Sequence, residues 1–179
     1  NANRLGPFTA GQGDLSKSNP QFLWQQMWNN PEFQMLAADR IHKHFFNDGA
    51  LTPANAIARF RNRMAQLDRA VVAESARWGD AKREPAYTRA TWVAACNSIL
   101  ITFFPNRTAN VLTQLRGKNL YPTTVAPTFS QHGGNVTKGY SLGISAPAGS
   151  IYYTLNGSDP RLVGGAVSPS AIAHAAPLF

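Results

Sequence analysis

The feature that most constrains this chain is a change of periodicity between Leu120 and Pro127. Upstream, apolar residues recur every three to four positions, the spacing of one face of an α-helix. Downstream, Gly133, Gly134, Gly139, Pro147 and Gly149 cut the chain into short runs, Pro127–His132, Tyr140–Ala146 and Ser150–Leu155, at the spacing of strands and turns. One polypeptide therefore uses two kinds of local structure. The expected fold is α+β in two domains: a mainly helical domain over residues 1–121 (1–18 mostly loop), a linker at 122–127, and a small antiparallel β-sandwich of immunoglobulin-like type over 128–179. Three strands bury one face poorly. The sandwich is thus expected to be incomplete, or the tail beyond Ala166 to supply a missing strand. An open sheet edge would invite pairing with a second copy.

Helix starts in the first part are marked by proline. Asn19-Pro20, Asn30-Pro31-Glu32 and Thr52-Pro53 each offer a capping residue and a proline at the first helical position, where an N–H has no helical partner to lose. The second helix, about Pro31 to Phe46, places Phe33, Leu36, Ala37, Ile41 and Phe45 on one stripe, and Gly49 is expected to take a left-handed exit. The third, from Pro53 to about Trp78, repeats Ile57, Phe60, Met64, Leu67 and Val71, with Arg59 and Arg63 near the opposite side. A fourth, about Arg89 to Phe104, aligns Trp92, Cys96, Ile99 and Phe103. Pro105 opens a fifth, ending near Arg116-Gly117.

Composition narrows the function classes. The hydrophobic fraction of 44% is that of a globular chain rather than a disordered one. No apolar run reaches the length of a membrane span. The formal charge is +8, and residues 1–121 hold 15 of the 17 Lys and Arg but also 8 of the 9 Asp and Glu. These basic residues are spread along helices with no cluster of five, so solvated faces and internal ion pairs compete with an anionic partner, and specific nucleic-acid binding is not expected. One cysteine, Cys96, allows no internal disulfide. The chain opens on Asn1 rather than Met, so its start is read as not the start of the gene.

Few residues suggest chemistry. His42-Lys43-His44 puts two histidines at i and i+2, which diverge on a helix and make a poor metal pair. Cys96 lies on an apolar stripe and reads as core. In Glu74-Ser75-Ala76-Arg77-Trp78-Gly79-Asp80, the carboxylates could be an acid/base pair, but they bracket an arginine beside a tryptophan. A structural clamp of Glu74, Arg77, Trp78 and Asp80 at a helix end is the expectation. In Asn156-Gly157-Ser158-Asp159-Pro160, Asn-Gly favours positive φ and Asp159 can accept backbone N–H bonds, so a β-turn of Asn156, Gly157 and Asp159 is expected; one carboxylate is too few for calcium. Strand alternation puts Tyr152 and Thr154 opposite Ile151, Tyr153 and Leu155, making Tyr152 a candidate polymer contact. No glycine-rich phosphate loop is present, since Gly6, Gly11 and Gly13 follow no strand. No catalytic, metal or cofactor residue, and no cofactor, is assigned.

The strings "NPEFQMLAADRIHKHFFNDGALTPANAIARFRNRMAQLDRAVVAESARWGD" and "FFPNRTANVLTQLRGKNLYP" resemble the C-terminal helical part of CotH-like proteins, spore-coat-type atypical kinases with secreted bacterial relatives. The likeness spans about residues 20–122 and rests on Asn30 to Phe33, Gly49 to Thr52, Glu74 to Asp80, and Phe104-Pro105 with Arg107. "APTFSQHGGNVTKGYSLGISAPAGSIYYTLNGSDPR" is similar to the chitobiase/β-hexosaminidase C-terminal type of β-sandwich, also called fibronectin type III-associated, through Tyr153 to Gly157; Asn156 stands where that pattern has Asp. The resemblance implies a fragment of a larger exported bacterial protein, secreted, cell-surface or periplasmic. In that family the nucleotide- and metal-binding acids lie upstream of this region, so the upstream part of the same polypeptide is the implied partner. Three functional readings follow: a non-catalytic scaffold with an accessory spacer or binding module; part of a phosphotransferase using Arg59, Arg61 and Arg63; or a glycan-binding module through Tyr152, with surface polysaccharide as partner.

Overall fold

The computed structural model describes residues 20–81 and 83–175 of the 179-residue chain. Five helices come first: α1 (Pro20–Met27), α2 (Pro31–Phe45), α3 (Pro53–Trp78), α4 (Arg89–Thr102) and α5 (Phe104–Arg116). Four two-residue strands follow: β1 (Thr128–Phe129), β2 (Ile144–Ser145), β3 (Tyr152–Tyr153) and β4 (Ile172–Ala173). The fold is α+β with a mainly helical first part. The expected loop at residues 1–17, the glycines within it and the Asn19 cap lie outside the described residues.

The proline-marked starts form for the reasons the sequence suggests, with one exception. At α2, Asn30 Oδ1 accepts the N–H groups of Glu32 and Phe33 at 2.9 and 3.1 Å, satisfying two donors that have no helical partner. At α3, Thr52 does not cap with its side chain; its hydroxyl donates backwards to the Gly49 carbonyl at 2.9 Å. At α4, Thr88 and Thr91 form a reciprocal capping box.

Helix ends correct one glycine assignment. The left-handed residue after α2 is Asn47 (φ 53°), not Gly49. Gly49 is required for space: a Cβ there would lie 2.6 Å from the Lys43 and His44 carbonyl oxygens. α5 ends at Arg116, as expected, and Asn119 (φ 56°) takes the left-handed position after it. The Leu120 N–H reaches back to the Leu115 carbonyl and the Asn119 N–H to that of Arg116, both at 3.0 Å. This is a Schellman closure. It buries Leu115 and Leu120, the latter 1% exposed.

Packing divides the chain into two units, Ile41–Gln114 and a second whose described part is residues 20–40 with 115–175. In the first, α3 packs along α4. Phe60 meets Phe104 at 5.2 Å, Cys96 is buried, and the Thr108 hydroxyl donates to the Leu51 carbonyl at 2.7 Å. Arg89, at the start of α4, pairs with Asp68 of α3 at 2.7 Å.

In the second unit, Leu115, Leu120 and Tyr121 are buried, and Trp24 stands edge-on to Phe33 at 5.3 Å. The strands make two antiparallel ribbons. Thr128 and Phe129 of β1 face Ser145 and Ile144 of β2; Tyr152 and Tyr153 of β3 face Ala173 and Ile172 of β4. The chain's tail thus provides a strand, one of the two outcomes expected of it. His174 joins the ribbons. Its backbone N–H donates to Ile151 at 2.8 Å, and its ring Nε2–H donates to the Ile144 carbonyl at 3.0 Å. The expected runs of six or seven residues contract to two. Next to β1 and β2 the Ser130 N–H still donates to the Gly143 carbonyl at 2.8 Å, but the Gly143 N–H goes to Ser130 Oγ at 3.0 Å and not to main chain. No third strand joins either ribbon among the described residues.

Candidate functional site

Two places gather polar or aromatic side chains in a way that bears on function, one in each unit. The first is the turn after β3. Gly157 adopts φ 77°. Asn156 Oδ1 accepts the Ser158 N–H at 3.0 Å and its hydroxyl at 2.7 Å. The Thr154 hydroxyl donates to the Ser158 carbonyl. Asp159 Oδ1 accepts the Arg161 backbone N–H at 2.8 Å and its Nε at 3.0 Å, while Oδ2 meets Nη2 at 2.9 Å. The residues expected to form a β-turn thus lie together.

What sequence reasoning missed is Arg161. Its guanidinium grips a second carboxylate, Asp39 of α2, through Nη1 at 3.2 Å and Nη2 at 2.5 Å. One planar fork thereby holds two carboxylates, each by two bonds, the geometry in which an arginine–carboxylate pair is strongest. Nearby, Glu32 of α2 accepts the Gly164 N–H at 3.2 Å, and a Cβ on Gly165 would sit 3.1 Å from the Met35 sulfur. The turn and the segment after it are tied to α2 through two carboxylates, Asp39 and Glu32. Hydrogen bonds from the Arg161 side chain, then its backbone, hold the Asp159 carboxyl below the ordinary carboxylate range. Asp159, and then Asp39, raise the Arg161 pKa above its usual value. The only signal in the sequence was an Asp-Pro-Arg run beside the turn; Asp39 is 122 residues away.

The second place is the C-terminal end of α3. Arg77 does not bridge Glu74 or Asp80: among the described residues the ion pairs are those of Arg89 and Arg161. The Arg77 guanidinium instead lies over the Trp78 ring at 4.9 Å. Asp80 lies beyond the last helical residue, and a Glu–Arg contact three residues apart on an exposed helix is worth only about 0.2–0.5 kcal/mol, little to hold against the face of a large ring. Of the expected clamp, Arg77 and Trp78 come together and the two carboxylates do not join them. Gly79 is needed here for space rather than for a turn of the backbone. Its φ is −60°, but a Cβ would collide with the carbonyl oxygens of Tyr87 and Ser75. Tyr87 is held there by its N–H, which donates to the Gly79 carbonyl at 2.8 Å.

Between this end of α3 and the start of α4 lies an open cavity of about 430 Å³, walled by Trp78, Tyr87 and Trp92 and floored by Val71 and Ala95. Among the described residues, Glu74 is the one charged side chain on its lining. The carboxylate expected in a clamp therefore borders a cavity.

The remaining candidates are dispersed. Tyr152 is 40% exposed on β3. The His42 ring stacks on Phe46 at 4.7 Å. Cys96 is buried on α4, as its stripe position implies. Arg59 donates to the Ala50 carbonyl, whereas Arg61 and Arg63 are exposed on α3. Among the described residues no three His, Cys, Asp or Glu side chains converge as a metal set would, and no helix is long and apolar enough to cross a membrane. No protein-family model matches the chain, and no curated protein and no solved structure matches it either.

Proposed function

We propose that the chain is a non-catalytic accessory module of a larger exported bacterial protein of the CotH-like kind. A helical scaffold carries a β-rich spacer of the chitobiase C-terminal type, and the upstream part of the same polypeptide is its partner. The observation that carries this reading is the fastening of the turn. Asn156 is spent on Ser158, Asp159 on Arg161, and Arg161 on Asp39. The polar groups of the most motif-like stretch hold a β segment against a helix, the work of a spacer, instead of presenting ligands outward.

Phosphoryl transfer would draw on Arg59, Arg61 and Arg63 as a basic surface. The bond from Arg59 to the Ala50 carbonyl withdraws one of the three. Calorimetric titration of the chain with Mg-ATP tests the choice. The scaffold reading expects no saturable heat, and micromolar saturable binding overturns it. The exposure of Tyr152 on β3 supports a second reading, in which the spacer also holds surface polysaccharide. That reading expects retention of the chain on an insoluble polysaccharide and loss of retention in Tyr152→Ala; an unretained parent chain refutes it.

A further inference from the structure

The cavity at the end of α3 plays no part in that reading, and its chemistry is selective. Its volume of about 430 Å³ lies within the usual range of small-molecule sites. Trp78 and Tyr87, on its walls, are 55% and 51% exposed, so their rings are open to a ligand. Thr88 and Thr91 also line it, but their hydroxyls serve the capping box of α4. That leaves Glu74 as the one charge, with no ion pair to any described cation.

These features exclude most ligand classes. A neutral apolar molecule would cover the rings but gain nothing from the Glu74 carboxylate beside them. An anion would face a carboxylate with no described cation on the lining. A hard metal ion needs six or so oxygens and would find one side-chain carboxylate. A weakly hydrated organic cation satisfies both halves of the cavity: aromatic faces attract it and Glu74 neutralises it. Two of the rings already accept cations within the chain. Arg77 lies over Trp78 at 4.9 Å and Arg83 over Tyr87 at 5.0 Å, each taking one face, and neither arginine lines the cavity.

We infer that the cavity between α3 and α4 binds a small, freely diffusing quaternary ammonium compound, its cationic head against Trp78, Tyr87 and Trp92 and beside Glu74. Choline is the probe, and its uncharged carbon analogue 3,3-dimethyl-1-butanol is the control of equal shape. Tryptophan fluorescence, with calorimetry beside it, reads both titrations on the whole chain. The expected result is saturable choline binding and at least about tenfold weaker binding of the alcohol. Glu74→Gln, which keeps the side chain's shape on an exposed helix position, is expected to weaken choline about tenfold and leave the alcohol unchanged. Trp78→Leu is expected to weaken choline while leaving the unfolding midpoint near that of the parent. Equal affinity for the two probes, no saturation by choline at millimolar concentration, or a Glu74→Gln variant that binds choline like the parent overturns the inference.

Discussion

Two stretches of this chain set an arginine near acidic residues, and they resolve in opposite ways. In Glu74 to Asp80 the arginine lies three residues from a carboxylate on either side, yet Arg77 turns to the ring of Trp78. In Asn156 to Arg161 one aspartate precedes the arginine by two residues, and Arg161 engages it and a distant Asp39 with both edges of its fork. The difference lies in what each backbone offers. A helix end presents its side chains outward, and a local pair there gains little over water. A turn folded back on α2 delivers a second carboxylate from another element, and the bidentate geometry follows from that delivery. Adjacency in sequence is therefore the weaker guide to an ion pair; the convergence of two elements decides it.

The largest expected effect in either stretch comes from backbone proximity rather than charge. Gly79→Ala forces a methyl group against the Tyr87 and Ser75 carbonyls, which belong to the main chain and cannot swing aside. We expect a loss of about 2–3 kcal/mol, read as a lower urea midpoint with an unchanged m-value. A neutral outcome would mean that the α3–Tyr87 junction is looser than the Arg161 clasp with which it is contrasted. Next is Arg161→Ala, which leaves Asp39 and Asp159 near each other without a cation. Both carboxylates are half exposed, so water and salt screen them and the expected loss is about 1–2 kcal/mol. A double-mutant cycle with Asp39→Asn should return a coupling of about 1 kcal/mol that shrinks in 1 M salt. Coupling indistinguishable from zero would erase the distinction between the two arginines.

How much of this was legible depends on how far apart the cooperating residues lie. The starts of α2 and α4 sit where Asn30-Pro31 and Arg89 indicated, because caps and first-turn prolines act within four residues. The stripe of α3 placed Ile57, Phe60, Met64 and Val71 on its half-buried side for the same reason, although Leu67 of that stripe is exposed. The turn at Asn156-Gly157 was equally local. Gly49 reads as a left-handed exit, whereas it and Gly79 are required because nearby main chain, of Lys43 and His44 and of Ser75 and Tyr87, passes too close for a Cβ, which no periodicity encodes. Asp39–Arg161 and Leu51–Thr108 join residues 122 and 57 positions apart, and the cavity beside Glu74 exists only once Tyr87 has been brought against Gly79. Short-range chemistry was readable; the partners of charged groups, and the empty space between elements, were not.

Acid sharpens the comparison at lower cost. Arg161 holds the Asp159 carboxyl below its unfolded value, so the folded state binds that proton more weakly than the unfolded chain does. The stability this contributes is complete above the ordinary carboxylate range, near pH 4 and higher. It is lost as the pH falls through that range to the depressed folded value. Since Asp159 is half exposed, the expected loss from this group is under about 1 kcal/mol. Measured as the difference in urea midpoint between pH 6 and pH 2.5, it should be smaller in Asp159→Asn than in the parent. An identical acid response in the two proteins would remove the carboxyl from the clasp's energetics.

The smallest effect belongs to Arg77→Ala, and it is the one that separates stacking from pairing. The residue forms no ion pair with a described residue, and its contact with Trp78 is at the surface, where a cation over a ring is worth about 0.5–1 kcal/mol. We expect a loss at or below that value, with no dependence on salt beyond the general screening of a basic chain. Arg77→Met, which keeps an apolar stem over the ring, should recover part of it; Arg77→Lys should recover less than a charge-based account requires, because an ammonium is more strongly hydrated than a guanidinium and cannot lie flat on the indole. If instead Arg77→Ala costs as much as Arg161→Ala and Lys restores it fully, Arg77 is held by Glu74 and Asp80 after all. The carboxylate beside the cavity would then be neutralised from within the chain, and the opposition between a spent turn and an unspent helix end would fail at its more consequential side.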